Sequence, residues 1–142
     1  MTGRLGGESE GFDLKAKLNG DTVTGRAGGI FGKDFQLEIS ATGVSGHIGR
    51  ADAQQVSLEL ASGELSGFIG GAPVRLRGVD QVTGSLGEGI TALQIFAQQR
   101  GEELIGNIGG MVGRPFKLSL NGAPGWIGVL VALVAYCALD RT

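Results

Sequence analysis

A six-residue glycine pattern recurs six times along the chain and constrains its fold more than any other feature. The pattern reads apolar-x-Gly-x-(small or apolar)-Gly, and its central glycines follow one another at intervals of 22, 21, 21, 17 and 22 residues. Repetition at such a period indicates one supersecondary unit that is used several times. The six copies are MTGRLG (1–6), VTGRAG (23–28), VSGHIG (44–49), LSGFIG (65–70), VTGSLG (82–87) and LIGNIG (104–109).

Each copy is followed by a second stretch in which apolar and polar residues alternate. Alternation is typical of a strand with one buried and one solvated face. In the glycine pattern the central glycine is in phase with the apolar residues, so we expect it on the core face, at a place that avoids a side chain. The second stretches are FDLKAKL (12–18), FQLEI (35–39), VSLEL (56–60), VRL (74–76), ALQIF (92–96) and FKLSL (116–120).

The glycine spacing in VTGRAGGIFGKDFQLEI (23–39) also looks like a phosphate-binding loop. A nucleotide-binding glycine fingerprint, however, runs from a strand into a helix whose N-terminus holds the phosphate. Here every glycine run leads to another strand, and Lys33 is followed by Asp34 rather than by Ser or Thr. We therefore interpret the stretch as strand, turn and strand.

Short links between successive strands predict antiparallel neighbours, because a parallel crossover needs a dozen residues or more. Six copies thus predict a mainly β fold over residues 1–121: an antiparallel up-and-down meander of about twelve short strands from six two-strand repeats. Because the first copy begins at Met1, we expect its strand to be frayed or absent.

Residues 122–142 form a second unit, a hydrophobic C-terminal helix. Its core, WIGVLVALVAYCAL (126–139), is apolar all round, so protein or a membrane must surround it. Fourteen residues span about 21 Å as a helix, which is short of a hydrocarbon core of roughly 30 Å. The large side chains of this helix are Trp126, Leu130, Leu133, Tyr136 and Leu139.

A packing argument favours enclosure of this helix. About eight strands already form a barrel that their own side chains just fill, so a barrel of twelve strands has room for a central helix. We therefore predict a barrel closed around the helix. The alternative is that residues 123–139 enter a bilayer as an anchor.

The plan of the chain resembles the Tubby-like superfamily, which includes the LURP-one-related proteins and the phospholipid scramblases. The residues that carry the resemblance are the strand pairs from Val23 to Leu120 and the tail VLVALVAYCALDR (129–141). The resemblance covers nearly the whole chain and rests on architecture. It implies a non-enzymatic module that binds lipid or associates with a membrane. Tubby domains recognise phosphoinositides through basic residues, and no residue of this chain matches those one by one.

Composition narrows the function classes. The net charge is −2 and the twelve Lys and Arg residues are scattered, whereas nucleic-acid binders carry a clustered basic face. One histidine and one cysteine supply neither a metal-ligand set nor a catalytic pair. We therefore expect no nucleic-acid partner, no enzymatic activity, no cofactor and no metal.

The first residues lack an apolar signal region, so we expect a cytoplasmic protein that acts at the inner face of a membrane if it binds lipid.

Four residues are candidates for contact with lipid or a protein partner. Arg75 and Arg77 form a basic pair on one strand face, although such pairs are mostly solvated surface. Phe68 and Phe96 fall at outward positions, where single exposed aromatics are common. If the two phenylalanines lie together, they form a small binding patch.

Two function hypotheses follow. In the first, a helix-filled barrel is a binding or regulatory module whose partner is membrane lipid or another protein. In the alternative, the protein is tail-anchored, and its β domain assembles into a ring or filament as a homo-oligomer through open sheet edges. The position of the apolar tail distinguishes them.

Overall fold

The computed structural model describes residues 1–6, 11–29, 32–49, 54–109 and 113–139, which hold twelve strands and one α-helix. The acidic end of the tail, Asp140, and the residues after it lie outside these ranges. A 3-10 turn spans Gly89–Thr91, and the helix α1 is Gly125–Leu139. The strands are β1 (Thr2–Leu5), β2 (Phe12–Asn19), β3 (Thr22–Ala27), β4 (Lys33–Ser40), β5 (Gly43–Ile48), β6 (Gln54–Ala61), β7 (Glu64–Ile69), β8 (Ala72–Arg77), β9 (Gln81–Leu86), β10 (Leu93–Arg100), β11 (Glu103–Ile108) and β12 (Arg114–Ser119).

All twelve strands form one closed antiparallel barrel in sequence order, with β1 joining β12 to β2. The predicted mainly β meander and its closure are confirmed. The expectation that the first strand is frayed or absent is wrong, because β1 pairs along its whole length with both neighbours. The Met1 amino group also donates a hydrogen bond to the Ala16 carbonyl at 2.7 Å. Without β1, the strands β2 and β12 would present unpaired edges.

The central glycines of the repeat lie where neighbouring strands approach closely. A Cβ on Gly46 would collide with the carbonyl oxygen of Gln36 and would lie 2.9 Å from the Cα of Leu37. At Gly25 the space is taken by the ring of Phe35 on the next strand, whose Cζ would lie 2.5 Å from a Cβ. The expectation that these positions avoid a side chain is confirmed.

The final glycine of each copy ends its strand. All six have positive φ, from 57° to 100°, a region that glycine adopts without steric cost. Each donates its N–H to a carbonyl of a neighbouring strand, as from Gly49 to Asp34 at 2.8 Å. Strand packing and chain reversal therefore account for the glycine spacing of the repeat.

The helix α1 runs back through the barrel after the chain reverses at Asn121 and Gly122. Twelve of its fifteen residues are buried, so the predicted enclosure of the helix is confirmed. Gly128 lets the wall come close, because a Cβ there would lie 2.7 Å from Leu104 and 2.8 Å from Leu120. In the part of the chain that the structure describes, no helix combines the length and apolarity needed to cross a membrane.

The large side chains of α1 occupy the positions that enclosure requires. Leu130 and Leu133 are completely buried. Trp126, Tyr136 and Leu139 pack against the core and are partly buried, since they lie in the first and last turns of the helix.

Replacing Gly46 by alanine should strongly destabilise the barrel. The new Cβ would meet the backbone of β4, which cannot move aside as a flexible side chain can, and overpacking of this kind costs about 1–3 kcal/mol or more. Gly29→Ala is the matched control, because its Cβ would have no neighbour within 4 Å. Urea unfolding followed by far-UV circular dichroism measures both variants. Equal free energies of unfolding would show that close strand approach is not the reason for the repeated glycine.

Leu133→Ala should lower the free energy of unfolding by about 2–5 kcal/mol, since it opens a cavity at the centre of the core. Ile90→Ala is the control: Ile90 is fully exposed, and its change should stay within about 0.5 kcal/mol. Thermal and urea midpoints provide the measurement. An unchanged midpoint for Leu133→Ala would contradict an enclosed helix.

Candidate functional site

The helix does not fill the barrel evenly. It packs closest against β1–β4 and β9–β11, and a cavity of about 370 Å³ remains at the end of the barrel where α1 enters. We call this the turn-mouth cavity. Its wall is almost entirely apolar and consists of Ser40, Ala41, Gly43, Val44, Leu60, Gly63, Leu65, Leu76, Gly78, Val79 and Trp126.

Three hairpin turns, between β4 and β5, β6 and β7, and β8 and β9, form the wall of this cavity. The inward residues Val44, Leu65 and Leu76 are buried beneath the turns. At the rim, however, Leu60 is 51% exposed and Val79 is 60% exposed. An apolar concavity with exposed apolar side chains at its edge is typical of a site for a ligand or partner.

On this side of the barrel the strand pairing ends early. The pairing of β8 with β9 covers only Val74 to Arg77 and starts at Thr83, so Gln81 and Val82 of β9 have no partner on β8. The β4–β5 pairing, by contrast, continues to Ser40 and Gly43 beside the turn. Sequence reasoning missed this cavity, and the 17-residue interval between Gly67 and Gly84 does not signal it, because most of that shortening lies in the β7–β8 turn at the opposite end of the barrel.

Trp126 is the one aromatic residue of the cavity wall, and its indole carries a hydrogen-bond donor. It lies in the first turn of α1, is partly buried, and its indole N–H has no hydrogen-bond partner among the described residues. The adjacent Gly125 N–H, in contrast, donates to Gln99 Oε1 at 3.1 Å. Trp126 is also the single tryptophan of the chain, so its fluorescence reports on this cavity alone.

The predicted basic pair lies on the outer face of β8, on either side of the cavity residue Leu76. Both guanidiniums share one carboxylate: Glu64 lies 2.9 Å from Arg77 Nε and 3.6 Å from Arg75 Nε. The two arginine side chains are mostly exposed, and such surface pairs contribute at most about 1 kcal/mol. Their contact with lipid or a partner stays a prediction.

The two predicted aromatic contacts do not form one patch. Phe68 is on β7 and Phe96 on β10, with β8 and β9 between them, which separates them by roughly 14 Å across the sheet. Phe68 is paired with Pro73 and borders a shallow outer groove. Phe96 is paired with Thr83 and Asn107. Each is a separate exposed aromatic.

The single histidine and the single cysteine lie on different sides of the barrel wall. His47 is exposed on the outer face of β5, opposite Gln36 and Gln55. Cys137, the single cysteine of the chain, is buried within α1. Over the described ranges, no three His, Cys, Asp or Glu side chains come together in a way that could hold a metal ion.

Comparisons with known proteins give no functional assignment: no family model, no curated protein and no solved structure matches the chain. The resemblance to the Tubby-like superfamily therefore remains an expectation drawn from the plan of a barrel around a helix.

Proposed function

We propose that the protein is a non-enzymatic binding or regulatory module that takes the apolar part of a small lipid-like ligand into the turn-mouth cavity. The observation that supports this most is the cavity itself, about 370 Å³ in volume with an apolar wall. Ligand sites in proteins range from about 300 to 1,000 Å³ and combine apolar walls with a few polar groups. The Trp126 indole N–H is the polar group that would orient the ligand.

The size of the cavity limits the ligand to one chain or one small ring system. A dry cavity of about 150 Å³ already binds benzene, so the present one suits a single short alkyl chain better than a lipid with two chains. Each buried methylene contributes about 0.8 kcal/mol, and association itself costs about 4 kcal/mol or more. Binding of an eight-carbon chain should therefore be weak and reversible, with a dissociation constant in the millimolar range.

The rim suggests how such a ligand would arrive. Leu60 and Val79 project beside the opening, at the outermost end of the barrel, where they can meet an apolar chain before it enters. A lipid-binding role is also what the resemblance to Tubby-like domains implies. In this proposal the protein acts in the cytoplasm and exchanges its ligand at the inner face of a membrane.

Titration with octan-1-ol, followed by Trp126 fluorescence, tests the proposal. We expect a saturable change in emission that is lost, or weakened at least about tenfold, in Ala41→Phe, because a ring at this exposed rim position fills the opening. Ala61→Phe is the matched control, since Ala61 is exposed at a similar place outside the cavity wall. Circular dichroism verifies that both variants fold. An absent response in the parent protein, or equal binding by Ala41→Phe, would refute the proposal.

A further inference from the structure

The outer wall of the barrel carries another concave surface, an open groove of about 630 Å³ over β7, β8, β9 and β10. We call it the wall groove. Residues of the 87–92 link line it, so it lies toward the end of the barrel opposite the turn-mouth cavity. Phe68 and Arg75, two of the four predicted contact residues, both line this groove.

Unequal links between strands shape the wall groove. Residues 70–71 alone join β7 to β8, whereas residues 87–92, with the 3-10 turn, join β9 to β10 at the same end of the barrel. The longer link lies beside the short hairpin and forms one side of the groove through Glu88 and Ala92. The 17-residue interval of the glycine repeat is the sequence sign of the short hairpin.

A row of polar side chains crosses the wall groove. Ser66, Arg75, Ser85 and Gln94 are paired in register from β7 to β10, and all four line the groove. We call them the polar row. Neighbouring strands lie about 4.8 Å apart, so the row is about 14 Å long. Within the described ranges, the side chains of its two serines and its glutamine make no hydrogen bond.

Arg75 also keeps its donors available. Its Nε lies 3.6 Å from Glu64, beyond hydrogen-bond length, whereas Arg77 Nε donates to the same carboxylate at 2.9 Å. A guanidinium carries five N–H donors in one plane, and the Arg75 side chain is 72% exposed. The polar row therefore presents hydroxyl, guanidinium and carboxamide groups that bond only to solvent in the described part of the chain.

An apolar surface lies directly beside the polar row. Phe68 is 54% exposed and pairs with Pro73 on β8. Phe68 is two residues from Ser66 along β7, and Pro73 is two residues from Arg75 along β8, so the apolar and polar surfaces are about 6.6 Å apart. A single six-membered ring can bridge this distance, with one face on the phenyl ring and its substituents at the polar row.

We propose that the wall groove binds a carbohydrate, through a pyranose ring that packs a C–H face on Phe68 and forms hydrogen bonds with the polar row. A sugar hydroxyl both donates and accepts, and so do the serine hydroxyls and the glutamine amide, while Arg75 only donates and the Glu88 carboxylate only accepts. Arg75 and Glu88 are the charged residues among those that line the groove. An anion or a cation would therefore meet a like charge, whereas a neutral polyol meets none.

The shape of the groove favours the same class of ligand. The turn-mouth cavity has an almost entirely apolar wall, but the wall groove is open along its length, so hydroxyls that find no protein partner stay hydrated. The two sites lie toward opposite ends of the barrel. The carbohydrate site is therefore independent of the function proposed above.

Titration of the nitrogen-15-labelled full chain with methyl β-D-glucopyranoside, followed by proton–nitrogen correlation spectra, tests the inference. The ring substituents of this sugar are all equatorial, so each ring face is a C–H surface. We expect saturable shifts at the amides of residues 66–68, 74–76, 85–89 and 94, with the Trp126 indole signal unchanged. Sorbitol, a flexible polyol without a ring face, should bind at least about fivefold more weakly.

Three results would overturn the inference: no saturable shift at the groove amides, equal binding of sorbitol, or tighter binding of cyclohexanol than of the sugar. The last result would show an apolar groove without selection for hydroxyls. The octan-1-ol titration of the turn-mouth cavity is measured separately, so each proposal stands or fails by its own result.

Side-chain variants make the test specific to the groove. Phe68→Ala and Arg75→Gln should each weaken sugar binding at least about fivefold, as expected for an aromatic anchor and for a multiple donor. Phe96→Ala and Arg100→Gln are the matched controls, because both residues are exposed on β10 outside the groove, and they should bind as the parent does. Circular dichroism verifies that all four variants fold. If Phe68→Ala binds as tightly as Phe96→Ala, the inference is wrong.

Discussion

A barrel of twelve strands encloses more volume than its own inward side chains can fill, and the rest of this structure depends on how that volume is occupied. The helix α1 supplies the missing core. It is apolar on every side, with twelve of its fifteen residues buried, and a helix with side chains is about 10–12 Å wide. The dependence is mutual, because the barrel would be hollow without the helix and the helix would expose an apolar surface to water without the barrel.

The two glycines of the repeat adapt the wall to this arrangement. The central glycine removes a side chain where adjacent strands approach, as at Gly46, and the final glycine reverses the chain after the strand, as at Gly49. The motif looks like a nucleotide-binding loop in the sequence, but in the structure it serves strand packing and chain reversal. The candidate function arises beside the β8–β9 turn, where the strand pairing ends early and the off-centre helix leaves the turn-mouth cavity behind it.

Periodicity explains why most of the fold could be predicted and the site could not. Alternating stretches and short links depend on neighbouring residues, so the strands, their antiparallel order and the need for a central helix could be read from the sequence. The pairing of β1 with β12 joins opposite ends of the chain, and no local pattern indicates it. The separation of Phe68 from Phe96 follows from the strand order, whereas the sharing of Glu64 by two arginines depends on register. The cavity depends on the helix lying off centre, which its featureless apolar sequence does not encode.

Hydrogen–deuterium exchange of the helix segment 125–139 in the full chain tests the mutual dependence of barrel and helix most directly. If the helix is the core of the barrel, its amides exchange only by global unfolding, at the same slow rate as the best-protected strands and with the same loss of protection in urea. Exchange of the helix amides within seconds, while the strands remain protected, would show that the barrel stands without its helix and would contradict the enclosed-core structure.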